Sequence, residues 1–191
     1  MKRTFDILLA GIGLIVSAPL WPLIAAAIRI DSRGPVFYGQ PRVGERGRTF
    51  MVLKFRSMIA DAERHVGPKQ ADADDPRITR VGRVLRATAM DELPQLWNIF
   101  RGDMSFVGPR PERPYFVQQL AAAVPFYMQR HAVKPGVTGW AQVKYRYGAS
   151  IEDAMEKLRY DLYYIKHLSI VFDLTIVIDT VRVILSGRGA K

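Results

Sequence analysis

Two acids stand side by side in ATAMDELPQLWNIF (residues 87–100), Asp91 and Glu92, in a 191-residue chain of formal net charge +10. Arg77, Arg80, Arg83 and Arg86 precede the pair; Arg101, Arg110 and Arg113 follow it. A carboxylate kept ionised beside guanidinium groups is competent as a nucleophile or as a Mg²⁺ ligand. Aspartate attacks phosphoryl groups to form acyl phosphates, and the planar fork of arginine matches phosphate oxygens. This local inventory suits phosphate chemistry. The same residues also have a purely structural reading. With Asp91 as N-cap, Glu92, Leu93 and Pro94 open a helix, and a first-turn proline loses no hydrogen bond. Leu93, Leu96, Trp97 and Phe100 then bury that helix, and the macrodipole favours acids at its start. The arginines alone read equally as a basic face against acidic lipid.

Composition narrows the setting. Hydrophobic residues make up 49% and charged residues 24%, so the chain buries a core. Its length suits one domain. It contains no cysteine, which excludes disulfides, thiolate nucleophiles and Cys-ligated zinc. A pI near 10.1 points to an anionic partner. Ile7 to Ile28 carries no charge and is long enough for a hydrocarbon core of about 30 Å. It is too long for a signal-peptide core and lacks a cleavage signature. Pro19 and Pro22 interrupt it, and basic residues flank it on both sides: Lys2 and Arg3 before, Arg29, Arg33 and Arg42 after. Because cytoplasmic flanks collect Lys and Arg, a helix broken around Ser17–Pro22 that dips in and returns satisfies both flanks best. A kinked span and a buried soluble helix are the alternatives.

The elements that must position the acids follow from local pattern. Residues 34–58 predict two short strands around a Gly-rich turn, 61–78 a polar loop, and 79–88 a short basic helix. Residues 101–114 predict a turn-rich connection, 115–131 a helix, and 134–143 a turn leading to a short strand. Ser150 and Asp153 form a capping box for a helix over 151–167. Its apolar stripe is Ile151, Met155, Leu158, Leu162 and Ile165, with Asp161 bordering the core about 80° from the stripe's centre. The last helix (168–187) is apolar but carries Asp173, Asp179 and Arg182, which a spanning helix tolerates badly. A polar stripe of Thr175, Asp179, Arg182 and Ser186 predicts an amphipathic helix in or under an interface; an ordinary core helix fits the pattern equally. The fold class expected is α+β and mainly helical, with a re-entrant N-terminal helix, a small β-hairpin and a C-terminal amphipathic helix.

KFRSM (54–58), DELPQLWNIFRGDMSFVGPRPE (91–112), KPGVTGWAQV (134–143) and YDLYYIKHLS (160–169) resemble the bacterial sugar transferase family, and within it the monotopic phosphoglycosyl transferases. The likeness runs almost the whole chain. It implies one catalytic domain over 1–191, with 1–30 as the re-entrant membrane helix and 31–191 as the cytoplasmic or interfacial catalytic part. It implies transfer of a sugar-1-phosphate, expected to be a hexose, from a UDP-sugar to undecaprenyl phosphate, with release of UMP and Mg²⁺ as cofactor. It also implies residence on the cytoplasmic face of the bacterial inner membrane and a role in exopolysaccharide assembly. Residue by residue, the family's acid dyad falls on Asp91 and Glu92. The match implies that Asp91 forms a covalent phosphosugar; Asp91 is also taken as the candidate metal ligand, although the sequence leaves open which acid holds the metal and what role Glu92 plays. Lys54, Arg86, Arg110 and Asp161 match the substrate-binding positions.

The chain departs from the family pattern at its break, Ser17-Ala18-Pro19 with an added Pro22, and at KYRYGAS (144–150), which resembles the exopolysaccharide branch. Many relatives carry spanning helices and a further domain before this module, so a minimal form or an excised catalytic domain is expected. A nucleic-acid-binding module would also explain the charge, but the uncharged 22-residue run and the lack of a nucleic-acid motif oppose it. A non-catalytic membrane scaffold is the other alternative, opposed by the intact acid pair.

Overall fold

The computed structural model describes residues 1–64, 67, 75–145, 148 and 150–185. The uncharged run forms two helices, α1 (Lys2–Ser17) and α2 (Leu20–Asp31), bent by 61° at Ala18–Pro19. Pro19 is the N-cap of α2 and Pro22 lies in its first turn, so neither removes a helical hydrogen bond. Trp21 Nε1 donates to Ser17 Oγ across the bend at 3.1 Å. Among the described residues no single helix is long and apolar enough to cross a membrane; α1 and α2 together pass that test as a bent pair.

The expected hairpin is β1 (Phe37–Val43) antiparallel to β2 (Thr49–Phe55), in register Phe37↔Phe55 through Val43↔Thr49. The basic helix is α3 (Arg80–Ala87), capped by Thr79, whose Oγ1 accepts from Gly82 N. Next come α4 (Gln95–Arg101), β3 (Ser105–Val107), α5 (Pro114–Ala123), β4 (Gly136–Thr138), α6 (Trp140–Lys144), α7 (Ile151–Lys166) and α8 (Ile170–Leu185). β3 and β4 pair in parallel, Ser105↔Gly136 and Val107↔Thr138. The capping box of α7 forms as expected: Ser150 and Asp153 each accept from the other's backbone N–H.

α1 and α2 lie on the rest of the protein rather than standing apart. Ala10 of α1 packs with Val52, Ile99 and Met104, while Ile24 and Ile28 of α2 pack with Phe55 and Leu85. Polar anchors fix the start of α1. Arg3 donates to the last carbonyls of α4, Ile99 O at 2.5 Å and Phe100 O at 2.7 Å, where a cation is favoured. Asp6 is buried and accepts from Ser105 Oγ and Phe106 N. Lys2 pairs with the buried Asp173 of α8 at 2.5 Å.

Several expectations need correcting. Residues 115–131 are not one helix: α5 ends at Ala123, and a 3-10 turn over Tyr127–Ala132 follows Phe126 in the left-handed region at φ 62°. The strand in 134–143 is only Gly136–Thr138, and the AQV that follows is helical. β3 lies inside the segment expected to be all turns. On α7 the buried residues are Ala154, Leu158, Asp161 and Tyr164, while Ile151 and Met155 are exposed. The core face is therefore rotated toward Asp161, because the core of Val43, Val117 and Tyr127 lies on that side. On α8, Thr175 and Arg182 are exposed, as are the apolar Val171, Leu174, Ile178 and Val181. Ser186 and most of the 61–78 loop's middle lie outside the described residues, as do parts of 144–150.

Candidate active site

Asp91 does not cap a helix. It sits in a 3-10 turn, Met90–Glu92, entered through Ala89 at φ 55°, and α4 begins only at Gln95 with Pro94 as N-cap and no side-chain cap bond. The turn places the two acids differently. Glu92 reaches toward a cleft lined by Arg42, Lys54, Gln95, Arg110 and Gly136. Asp91 is 7% exposed and is not part of the cleft wall.

Lys54 comes from β2 and is set by Asn98. Buried in α4, Asn98 accepts from Leu53 N at 2.9 Å and donates to Met51 O at 2.8 Å, so its side chain locks the edge of β2 onto α4. Lys54 Nζ then meets Glu92 Oε1 at 2.6 Å, and Arg110 Nη2 stands 3.8 Å from the same oxygen. Cross-strand register puts Arg42 on the same face of the hairpin as Lys54. Lys54 and Arg110 thus contact one carboxylate, and Arg42, itself paired with Glu112 at 3.6 Å, acts on it through charge.

The two acids titrate apart. Burial opposes the charge on Glu92, but Lys54, Arg110 and Arg42 overcome it and hold its carboxyl at about 2. Burial dominates at Asp91 and pushes its carboxyl up to about 6, with Lys54 and Arg86 pulling down and Glu92 pushing further up. Asp91 is therefore anionic at neutral pH, as expected, but by a narrow margin, and it is Lys54 and Arg86 rather than the end of an α-helix that oppose its burial. Arg86 acts on it through charge from the last turn of α3.

Lys54, Glu92 and Arg110 meet in one cleft, with Asp91 and Arg86 beside it. Asp161 stands behind it. At 1% exposure it accepts from Arg130 Nε at 3.0 Å and Nη2 at 2.8 Å, so it contacts the site only through Arg130, not as a group open to substrate. The loop carrying Arg110 runs hard against β4: a Cβ on Gly108 would strike the Lys134 carbonyl, and one on Gly136 would strike Gly108 N. Only glycine permits that approach.

Among the described residues no group of three or more His, Asp or Glu is placed to hold a metal. Mg²⁺ does not require one, since it binds through one or two carboxylates with substrate phosphates and water. Glu92 is taken up by cations, so Asp91 is the donor that fits. Sequence reasoning passed over Gln95, Asn98 and Arg130 and treated Arg42 as a flank. The alternation Tyr38, Gln40, Arg42 along β1 was the available signal for Arg42; nothing local marks Asn98 or Arg130.

The family described as "Bacterial sugar transferase" matches residues 1–187. The chain is similar to the UDP-N-acetylgalactosamine-undecaprenyl-phosphate N-acetylgalactosaminephosphotransferase of Aeromonas hydrophila, 47% identical over 191 residues, covering 100% of this chain and 45% of that protein. It is 42% identical over 184 residues to the UDP-glucose:undecaprenyl-phosphate glucose-1-phosphate transferase of Escherichia coli K12, covering 95% of this chain and 39% of that protein. It is also 42% identical over 198 residues to the exopolysaccharide production protein PSS of Rhizobium leguminosarum bv. phaseoli, covering 99% and 98%. The chain thus spans less than half of the first two relatives and nearly all of the third.

Proposed function

Because the chain belongs to the bacterial sugar transferase family, we propose that it transfers a hexose-1-phosphate from a UDP-sugar to undecaprenyl phosphate, releasing UMP and starting exopolysaccharide assembly. The observation that carries this reading is the division between the adjacent acids. Glu92 is neutralised by Lys54 and Arg110, whereas Asp91 takes no ion pair among the described residues and is raised to about 6.

An Asp91 carboxylate oxygen attacks the β-phosphorus of the donor. The bond from that phosphorus to the bridging oxygen breaks, and UMP leaves with the bridging oxygen. An acyl phosphate joins Asp91 to the sugar. A phosphate oxygen of undecaprenyl phosphate then attacks the same phosphorus, freeing the carboxylate and forming the lipid diphosphate sugar. A largely desolvated anion is the better nucleophile for this, since less water must be stripped from it. Lys54, Arg110 and Arg42 hold donor phosphate oxygens by charge-assisted bonds, and Glu92 keeps Lys54 and Arg110 in place. Arg86 favours the anionic form of Asp91. Mg²⁺, held by Asp91 with the donor's phosphates, would offset the repulsion between nucleophile and substrate.

The bent pair α1–α2 is proposed as a re-entrant anchor on the cytoplasmic face of the inner membrane, residues 1–30 serving the catalytic remainder of the chain. Leu8, Ile12, Ile15, Val16 and Leu23 are exposed along it. Trp97 and Phe100 stack at 6.0 Å beside it, as aromatic residues do at an interface.

The test of the reaction is UMP release by detergent-solubilised protein with Mg²⁺, undecaprenyl phosphate and a panel of UDP-sugars. Turnover with a UDP-hexose is expected; folded protein that releases UMP from none of them overturns the reading. For the anchor, single cysteines at Lys2 and Ser32 should label from the same side of sealed vesicles; labelling from opposite sides means a span.

A further inference from the structure

Four consecutive carbonyls of the loop carrying Arg110 are taken by four donors from three separate stretches of the chain. Gly136 N donates to Pro109 O at 3.0 Å, and Val43 N to Glu112 O at 2.9 Å. Arg130 Nη2 donates to Arg110 O at 3.0 Å, and Arg42 Nη1 to Pro111 O at 2.9 Å. A loop whose every carbonyl is occupied in this way has few other backbone conformations. Ordering a backbone costs conformational entropy, and here that cost is met in folding rather than when a ligand arrives. A guanidinium aimed in advance is what charge stabilisation of a phosphoryl group needs.

Two of the four donors are side chains, and they differ. Arg42 lines the cleft and contributes its own charge there. Arg130 is buried and donates to Asp161, to the Tyr127 hydroxyl at 2.7 Å and to the Arg110 carbonyl. It does not line the cleft. A buried ion pair is weak evidence of stabilisation, since apolar residues of similar volume often do as well. It hydrogen-bonds the carbonyl of the residue that faces Glu92, and by charge it also acts on Glu112, the partner of Arg42.

We propose that Arg130, oriented by Asp161 and Tyr127, is a positioning residue that fixes the backbone at Arg110 and so aims the Arg110 guanidinium at Glu92 and the donor phosphate. The inference rests on the reaction proposed above.

Arg130→Lys keeps a cation beside Asp161 but cannot serve three acceptors in fork geometry. It should lower kcat by about 10- to 100-fold with KM less affected, as a misplacement near 1 Å does. In an Arg110→Ala background the same change should cost under about threefold, because the group being positioned is gone. Hydrogen exchange of peptides covering 108–113 should quicken in Arg130→Lys, a readout independent of turnover. Tyr127→Phe leaves the Asp161 pair intact and should show a smaller loss by the same route, so it serves if Arg130→Lys does not fold. Equal losses with and without Arg110, or unchanged exchange at 108–113, overturn the proposal. Wild-type protein that releases no UMP would defeat the reaction instead, while exchange still reports on the loop.

Discussion

Asp91 and Asp161 are both buried carboxylates, 7% and 1% exposed, and burial pushes both carboxyls upward. They end in opposite conditions. Asp161 lies against Arg130 through two contacts, and that arginine's pKa is carried above its usual value by Asp161 and Tyr127 despite burial. Asp91 has cations near it but, among the described residues, none paired to it; its neighbour Glu92 has taken Lys54 and Arg110. In a chain this rich in arginine, proximity to positive charge does not mark a reactive acid. On the proposed mechanism the mark is a desolvated acid with no ion pair among the described residues, while another acid absorbs the cations that would have quenched it.

The comparison breaks most visibly at Asp91. Asp91→Asn should reduce UMP release by at least about 10³-fold, as loss of a nucleophile does, and abolish the phosphosugar adduct. Its unfolding midpoint at pH 7 should hold or rise, because the amide removes a desolvated charge. Retained turnover would end the nucleophile assignment. The reverse is expected at Asp161. Asp161→Asn leaves Arg130 buried and uncompensated and should cost about 3–5 kcal/mol in denaturant titrations. A loss in kcat with no loss of stability would mean Asp161 belongs to the chemistry after all.

A smaller effect sharpens the contrast within the pair. The reactive form of Asp91 is the anion, so kcat/KM should fall as pH drops through about 6. Lys54 pulls both carboxyls down. Lys54→Met should therefore move that acid limb to higher pH and lower turnover at pH 7 about tenfold. An unmoved limb would uncouple Lys54 from Asp91. Glu92, held at about 2, should contribute no second limb above pH 4. Stability follows the opposite sign at Asp91: with its folded pKa raised, the contribution is present below the ordinary carboxylate range and is lost as pH rises through about 6.

What could be read before folding was what local rules control. The hairpin, the short basic helix after residue 79, the capping box at Ser150 and Asp153 and the break at the prolines all follow from neighbours within a few residues. Where local rules competed, the reading slipped. Asp91 followed by an apolar run looks like a cap, but the left-handed Ala89 turns the chain one step earlier and diverts both acids into a 3-10 turn. The stripe on α7 was chosen by counting apolar side chains, and the core turned out to lie over Asp161 and Tyr164.

From residue types alone, the protein was determined to be basic, free of cysteine, fitted with a broken apolar run and furnished with an acid pair among arginines. Only the tertiary structure decided which acid stays unpaired. With 28 Lys and Arg against 18 Asp and Glu, most acids have a cation within a few residues, so sequence distance does not choose among them. The choice depends on contacts of 4 Å or less between elements far apart: Lys54 with Glu92 across 38 residues, Arg130 with Asp161 across 31. Coulomb attraction and desolvation act over those spatial distances, and chain order says little about either until the core has closed.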